Sequence, residues 1–336
     1  MSDLAYSKVK VELKEAINLD LFDRKILYEL DLNGRTSYAE IGKKVKLSKQ
    51  AIKKRINDLE RKGIIKQYFA LIDIHRMGYT FYRLDLRFQN LTEEKEKEII
   101  EYILKLPKVI WTAEIHGRWD LAIVFLTKDI LEIEENIQKI SWKFHQYLLE
   151  KSFCVATTHA RYKYGFLLDK EREEQGIFMG KELKNLVLSP IESKVLSILS
   201  KEGRMPLTEI SEKVGKSISS VKNAIQNLKN KKILLGFSVL LDLHKLGYLH
   251  HKLFINYQNP SEEKERKLES YFKLHPNIIF MTKSLGRSDI ECEIATKSIT
   301  EFENILREMR YKFSDLIKDI ETYMVLEEYV TNYYPV

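Results

Sequence analysis

Lys46, Lys49, Lys53 and Lys54 fall within a single short stretch that also carries Ser48, Gln50 and Asn57. These residue types suit one chemistry. Lysines neutralise phosphates, while glutamine and asparagine can pair with adenine edges in a major groove. To act together they must share a surface, and the sequence from Leu47 to Ile65, LSKQAIKKRINDLERKGII, is written as a helix that gives them one. Ile52, Ile56 and Leu59 recur at i, i+4 and i+7 as an apolar stripe, which leaves the basic and amide residues on the remaining faces. Ser48 reads as the N-cap in preference to a phosphate ligand, and Gly63 supplies the left-handed residue that ends a helix. Arg55 reads as a partner for Glu60 within the helix or for a phosphate. A basic helix alone is most simply a solvated surface element, so its flanks decide the matter.

Two helices precede it. Asp20 and Asp23 open the first, whose stripe is Ile26, Leu27 and Leu30, and Asn33-Gly34 stops it. Ser37-Tyr38-Ala39-Glu40 is a capping box for a short second helix through Ile41 to Val45. Three helices with a tight turn before the third predict a helix-turn-helix whose last helix enters the major groove. The β-rich segment Ile64 to Ile74 then reads as a wing strand.

From Tyr79 the periodicity changes. Residues 79–89 alternate as a half-buried strand, and Glu93 to Leu106 is an amphipathic helix ended by Pro107. Val109 to Ile115 and Asp120 to Leu126 read as strands, Ile130 to Phe144 as helix, and Glu150 to Thr158 as extended chain. That order is βαββαβ, a ferredoxin-like sheet with helices on one face and another such sheet expected on the other.

The whole pattern recurs at an offset of 169 residues. Ala70–Tyr79 and Val239–Tyr248 are identical at five of ten positions, and Gly117-Arg118-Trp119-Asp120 aligns with Gly286-Arg287-Ser288-Asp289. The predicted fold class is α+β: two tandem copies of a winged helix-turn-helix followed by a βαββαβ ferredoxin-like (RAM-type) domain. The boundaries read as 1–78 for the N-terminal segment and first helix-turn-helix and 79–164 for the first ferredoxin-like domain. Residues 165–186 read as a charged, glycine-containing linker spanning roughly 25 Å if flexible. Residues 187–247 and 248–336 form the second helix-turn-helix and sheet domain. In the second copy the helix Ser217 to Lys232 has Val221, Ile225 and Leu228 as its stripe, with Lys216, Ser219, Ser220, Lys222, Asn223 and Gln226 facing DNA. Arg55, Glu60 and Gly63 are replaced there by Ala224, Lys229 and Lys232, so weaker or different DNA contacts are expected.

Composition sets the remaining bounds. The 336 residues carry 56 Lys and Arg against 49 Asp and Glu, a net charge of +7, so basicity matters only where it is clustered. No apolar run approaches the ~20 residues needed to span a bilayer, and the N-terminus lacks the apolar core of a secretion signal. Cys154 and Cys292 match no metal or redox spacing and read as buried small hydrophobes in a reducing cytoplasm. No histidine, cysteine or paired-carboxylate constellation stands out, so no catalytic residue, metal ligand or cofactor is assigned.

In this order, three sets of residues resemble the Lrp/AsnC family of leucine-responsive and feast/famine transcriptional regulators over nearly all of both halves. They are Leu19-Asp20 with Asp23 and Ile26-Leu27; Ser48 through Arg55-Ile56 and Leu59-Glu60 to Gly63-Ile64-Ile65; and the turn from Gly117 to Asp120. The resemblance implies a DNA-binding domain joined to a sensing domain that pairs sheet to sheet. It also implies a small ligand, often an amino acid, bound near Gly117, Asp120, Gly286 and Asp289. The alternative role for those residues is structural, glycine providing the turn and aspartate capping it. The expected partners are double-stranded DNA and an amino-acid effector, with no membrane. The two sheets are expected to form an intramolecular pseudo-dimer, or a homo-oligomer between chains. A different class, a siroheme decarboxylase-like enzyme, shares the same architecture; it would need a tetrapyrrole pocket with basic and histidine groups, and His116 has only Leu285 as its counterpart. A third reading is an adaptor that does not bind DNA.

Overall fold

The structure is a computed structural model describing residues 7–10, 16–169, 176–180, 182–330 and 334. The remainder of the N-terminal segment and the charged stretch 170–175 of the expected linker lie outside the described residues. After a short strand β1 (Ser7–Lys10) come α1 (Leu21–Leu32), α2 (Tyr38–Val45), α3 (Lys49–Arg61) and β2 (Ile65–Ile72). The first sheet domain follows as β3 (Thr80–Phe88), α4 (Glu93–Leu104), β4 (Val109–Gly117), β5 (Leu121–Thr127), α5 (Ile130–Phe144) and β6 (Leu148–Arg161). Beyond the small strand β7 (Ile177–Met179) the order repeats. It runs α6 (Pro190–Lys201), α7 (Leu207–Val214), α8 (Ile218–Asn230), β8 (Leu234–Leu241), β9 (Leu249–Tyr257), α9 (Glu262–Leu274), β10 (Ile278–Leu285), β11 (Ile290–Thr296), α10 (Ile299–Lys312) and β12 (Ile317–Val330).

The expected α+β class is found, and the two sheets are joined more closely than face-to-face packing requires. Within the halves the orders are β4-β5-β3-β6 and β10-β11-β9-β12, and β6 pairs with β10 while β12 pairs with β4. The eight strands therefore close on themselves, which removes the exposed edges that an open sheet would present. Outside, α4 and α5 cover the first half through Ile99, Ile103, Ile133 and Ile140, and α9 and α10 cover the second through Leu268, Phe272 and Met309. Inside lie Ala113, Ile115, Ala122, Phe254, Tyr323 and Val325. With them is a buried ionic chain linking the halves: Arg83 Nη1 lies 2.5 Å from Glu291 Oε2, Arg287 binds Asp85, and Lys252 lies 3.0 Å from Glu291.

The helix-turn-helix units also interlock. Ile26, Leu27, Leu30, Ile52 and Ile56 are fully buried, as their spacing predicts, each such side chain contributing about 1.5–3 kcal/mol of burial. The strand after α3 is present, but its partner is its own counterpart: β2 runs antiparallel to β8 as a separate two-stranded sheet. Val239 and Leu241 of β8 complete the first unit's core, and Ala70 and Ile72 of β2 complete the second's. The expected linker is likewise packed where it is described. Gly165–Leu167 is a 3-10 turn with Phe166 and Leu167 buried, β7 extends the barrel by pairing with β6, and Met77 bridges to Asn185. The described residues of 165–186 are thus held by apolar anchors and strand pairing.

Candidate nucleic-acid interface

Ser48 has the extended backbone of an N-cap, and its Oγ accepts from the Ala51 amide at 3.2 Å. Its hydroxyl is thus engaged in starting α3. Lys46, immediately before, takes the left-handed conformation that ends α2, at φ 62°. Lys46, Lys49, Gln50, Lys53, Lys54 and Asn57 are all exposed. Buried Ile52, Ile56 and Leu59 hold the opposite face. Arg55 turns away from this surface, and its partner is not Glu60. Its Nη1 reaches Asp23 at 2.7 Å and Asp20 at 2.8 Å, and the bond to Asp23 raises its pKa. Arg55 therefore ties α3 to the start of α1, while Glu60 accepts from the Tyr68 hydroxyl at 2.7 Å.

The second unit achieves the same docking differently. Ala224, at the Arg55 position, is buried and joins Val221 and Leu228 in the stripe, displacing Ile225 to a half-buried flank. The tether moves to Lys231, whose Nζ lies 2.8 Å from Glu192, the counterpart of Asp23. Lys216, Ser219, Lys222, Asn223 and Gln226 are exposed, but Ser220 is half-buried with its hydroxyl 2.9 Å from that of Ser217. Gln226 donates to Asn230 at 2.9 Å. Among the residues expected to face DNA the second unit thus offers two lysines, Lys216 and Lys222, where the first offers four, and part of its polar face is bonded to itself.

What fixes the two units against each other is a pair of residues that the charge pattern of α3 does not single out, Arg35 and Arg204. Arg35 donates to the carbonyls of Gly203 and Met205 at 2.8 and 3.0 Å, and Arg204 donates to that of Thr36 at 3.2 Å. Beside them the Gly34 amide bonds Phe237 O and the Gly203 amide bonds Tyr68 O, at 3.1 and 2.7 Å. A Cβ on Gly203 would come within 2.7 Å of the Phe69 amide nitrogen, so only glycine permits this approach. The signal was present in the sequence as a Gly-Arg pair repeated at the 169-residue offset.

The two turns expected to sense a ligand meet at one end of the barrel. Asp120 accepts from the Phe88 amide and Asp289 from the Tyr257 amide, each at 2.7 Å, so both carboxylates hold their own turn to the neighbouring strand. Gly117 packs against Thr322 and Tyr323 of the other half, and Gly286, at φ 119°, against Phe153 and Cys154. A cleft of about 480 Å³ opens beside them, lined by Arg118 and Trp119 of one turn, Arg287 of the other, and Glu150, Asp319 and Glu321 among others. Of the residues between each glycine and its aspartate, Arg118, Trp119 and Arg287 line the cleft, while Ser288 is buried.

Capped third helices that face outward, on units locked together over a shared barrel, define a protein with two helix-turn-helix heads. A family described as winged helix-turn-helix DNA-binding matches residues 19–66 and 188–234. An HTH-type transcriptional regulator of Pyrococcus abyssi is 30% identical over 132 residues, 38% of this chain and 80% of that protein. The regulator LrpC of Bacillus subtilis is 30% identical over 126 residues, 37% of this chain and 85% of LrpC. Over the full length, the crystal structure of the siroheme decarboxylase NirDL superposes with a TM-score of 0.61 at 13% identity, covering 94% of this chain and 95% of that one, a likeness of fold. The chain belongs to the Lrp/AsnC family of transcriptional regulators, in a tandem-duplicated form, and is a DNA-binding regulator of transcription. Among the described residues no helix is long and apolar enough to cross a membrane.

Proposed function

We propose that α3, with Lys46, Lys49, Gln50, Lys53, Lys54 and Asn57, is the dominant recognition element, and that α8 reads a second, different half-site through Lys216, Ser219, Lys222, Asn223 and Gln226. The observation that carries this reading is the exposed cationic and amide face of α3, set opposite three buried aliphatic side chains. Ser48 and Ser220 support their helices and take a lesser part. Because Arg35, Arg204 and the β2–β8 pair lock the units, the half-sites have a fixed spacing and need not be palindromic. One chain supplies both heads, acting in the cytoplasm as an intramolecular pseudo-dimer and without enzymatic activity.

An amino-acid effector modulates binding from the cleft between the Gly117–Asp120 and Gly286–Asp289 turns. Its location, built from both halves, supports this. Footprinting of the purified chain on genomic DNA, with and without mixed amino acids, tests the whole reading. A protected site of two unlike halves, with affinity altered by the amino acids, is the expected result. Equal protection after Lys53→Glu and Lys54→Glu would overturn the DNA interface. A shift of the Soret band on adding siroheme would overturn the non-enzymatic reading.

A further inference from the structure

Where the first head meets the barrel, two buried histidines come together from separate elements. His75 lies in the 3-10 turn Ile74–Arg76 that follows β2, His159 lies on β6, and they are 3% and 6% exposed. Each has its Nδ1 beside an oxygen: Asp73 Oδ1 lies 3.3 Å from that of His75, and Thr282 Oγ1 3.2 Å from that of His159. Both Nε2 atoms are buried, and neither makes a hydrogen bond among the described residues. An imidazole held at Nδ1 with Nε2 left bare is the usual disposition of a metal ligand, the oxygen fixing the tautomer and the ring. The two ring centres are 5.6 Å apart. A metal held in line between two imidazole nitrogens sets them about 6 Å apart, and a bent arrangement brings them closer. Strand register supplies a third donor. Met179 on β7 is the direct cross-strand partner of His159, so its thioether leaves the sheet on the same face, and it is buried. Phe81 and Phe280 close around His159, with ring centres 4.8 and 5.8 Å from its own. Burial, with His75 next, holds His159 far below the usual histidine range, at about 3, so its imidazole is neutral and able to ligate.

The second junction lacks this arrangement. At the 169-residue offset His75 recurs as His244, only half-buried, but His159 becomes Glu328. His250, in the place of Phe81, is engaged by Glu293, its Nε2 3.2 Å from Oε2. We propose that the first junction is a site for one monovalent soft metal ion per chain, Cu(I), bound by His75 Nε2, His159 Nε2 and the Met179 sulfur. Among the described residues no group of three or more His, Cys, Asp and Glu could hold a metal ion, which leaves Zn(II) without the four ligands it takes. Cu(I) accepts two or three ligands, combines thioether with imidazole, and as a single charge is the least costly ion to bury among aromatic rings. Asp73 stands behind His75, with its other oxygen 3.7 Å from Arg76 Nε. The ion joins the turn after β2 to β6 and β7, and so ties the first head to the barrel.

Titration of the full chain with Ag(I), and with Cu(I) under anaerobic reduction against the chromogenic chelator bicinchoninate, tests this. One equivalent binds per chain and raises the melting temperature. His75→Phe and His159→Phe each weaken binding by about a hundredfold or more, and Thr282→Val, which removes only the oxygen at Nδ1, by about tenfold. His250→Phe, at the other junction, leaves binding unchanged. X-ray absorption of the Cu(I)-loaded parent shows two imidazoles and one sulfur, a measurement that does not depend on any variant folding. Two equivalents per chain, complete transfer of the copper to bicinchoninate, unchanged affinity in His159→Phe, or a Cu(I) spectrum lacking either imidazole or the sulfur would each overturn the proposal.

Discussion

Replacing Lys46, Lys49, Lys53 and Lys54 together by alanine tests the asymmetry between the two heads quantitatively. All four side chains are exposed, and the apolar stripe that folds α3 is untouched, so the variant should melt as the parent does. Each phosphate neutralised releases counterions and contributes about 0.9 to the slope of log affinity against log salt. Removing four such lysine–phosphate pairs lowers that slope by about 3.6, equivalent to about a hundredfold in affinity across a fourfold change in salt. Of the residues assigned to the second interface only Lys216 and Lys222 are lysines, and their removal lowers the slope by about 1.8. Electrophoretic mobility shifts on the footprinted operator, measured over a range of potassium chloride, give both slopes directly. Equal slope changes for the two variants would refute the dominance of α3, and an unchanged slope in the fourfold variant would refute its contact with phosphates altogether.

Three other outcomes follow from the geometry. Gly203→Ala pushes a methyl group against the Phe69 backbone, so the heads lose their fixed separation; binding to operators of altered half-site spacing should then tolerate changes that abolish binding by the parent. Arg55→Ala removes the bonds to Asp20 and Asp23, partly exposed pairs worth about 1 kcal/mol, and should lower the melting temperature by about 2–4 °C. Inside the barrel, burial works to raise the Glu291 carboxyl, but Arg83 and Lys252 outweigh it and hold it at about 2. Because this folded value lies below the ordinary one near 4.5, its contribution of about 3 kcal/mol is complete above that value and is lost as pH falls toward 2. Denaturant midpoints should therefore fall over that acid window, and Glu291→Gln should flatten the fall; an identical pH profile would contradict the pairing.

The helices were legible because their ends are chemically marked. Ser37 with Glu40, Ser48, and Ser189 with Pro190 and Glu192 cap the elements they announce, and Ile130–Phe144 forms at the limits its pattern gives. Strand alternation told which side of each sheet faces the helices. It carries no information about which strand lies beside an edge, and so neither the β2–β8 pair nor the closure through β6–β10 and β12–β4 could be read from it. Local composition did not show that Phe166 and Leu167 are held by packing against residues far away in sequence. For Arg55 the nearby acid in its own helix, Glu60, was less important than Asp23, which only the packing of α1 on α3 brings within reach. The glycine and aspartate of each of the two turns were found by likeness, but the cleft between the turns depends on two distant segments meeting.

Closure of the barrel and of the β2–β8 pair within one polypeptide has a consequence for dosage. A regulator assembled from separate subunits loses its paired heads on dilution, so its occupancy of DNA falls more steeply than its concentration. Here the second head is present at whatever concentration the first is, because both are delivered by one translation event. On the proposed single-chain form, occupancy of the operator should remain first order in protein down to a few copies per cell, and a change in gene copy number should be transmitted in proportion, without a threshold.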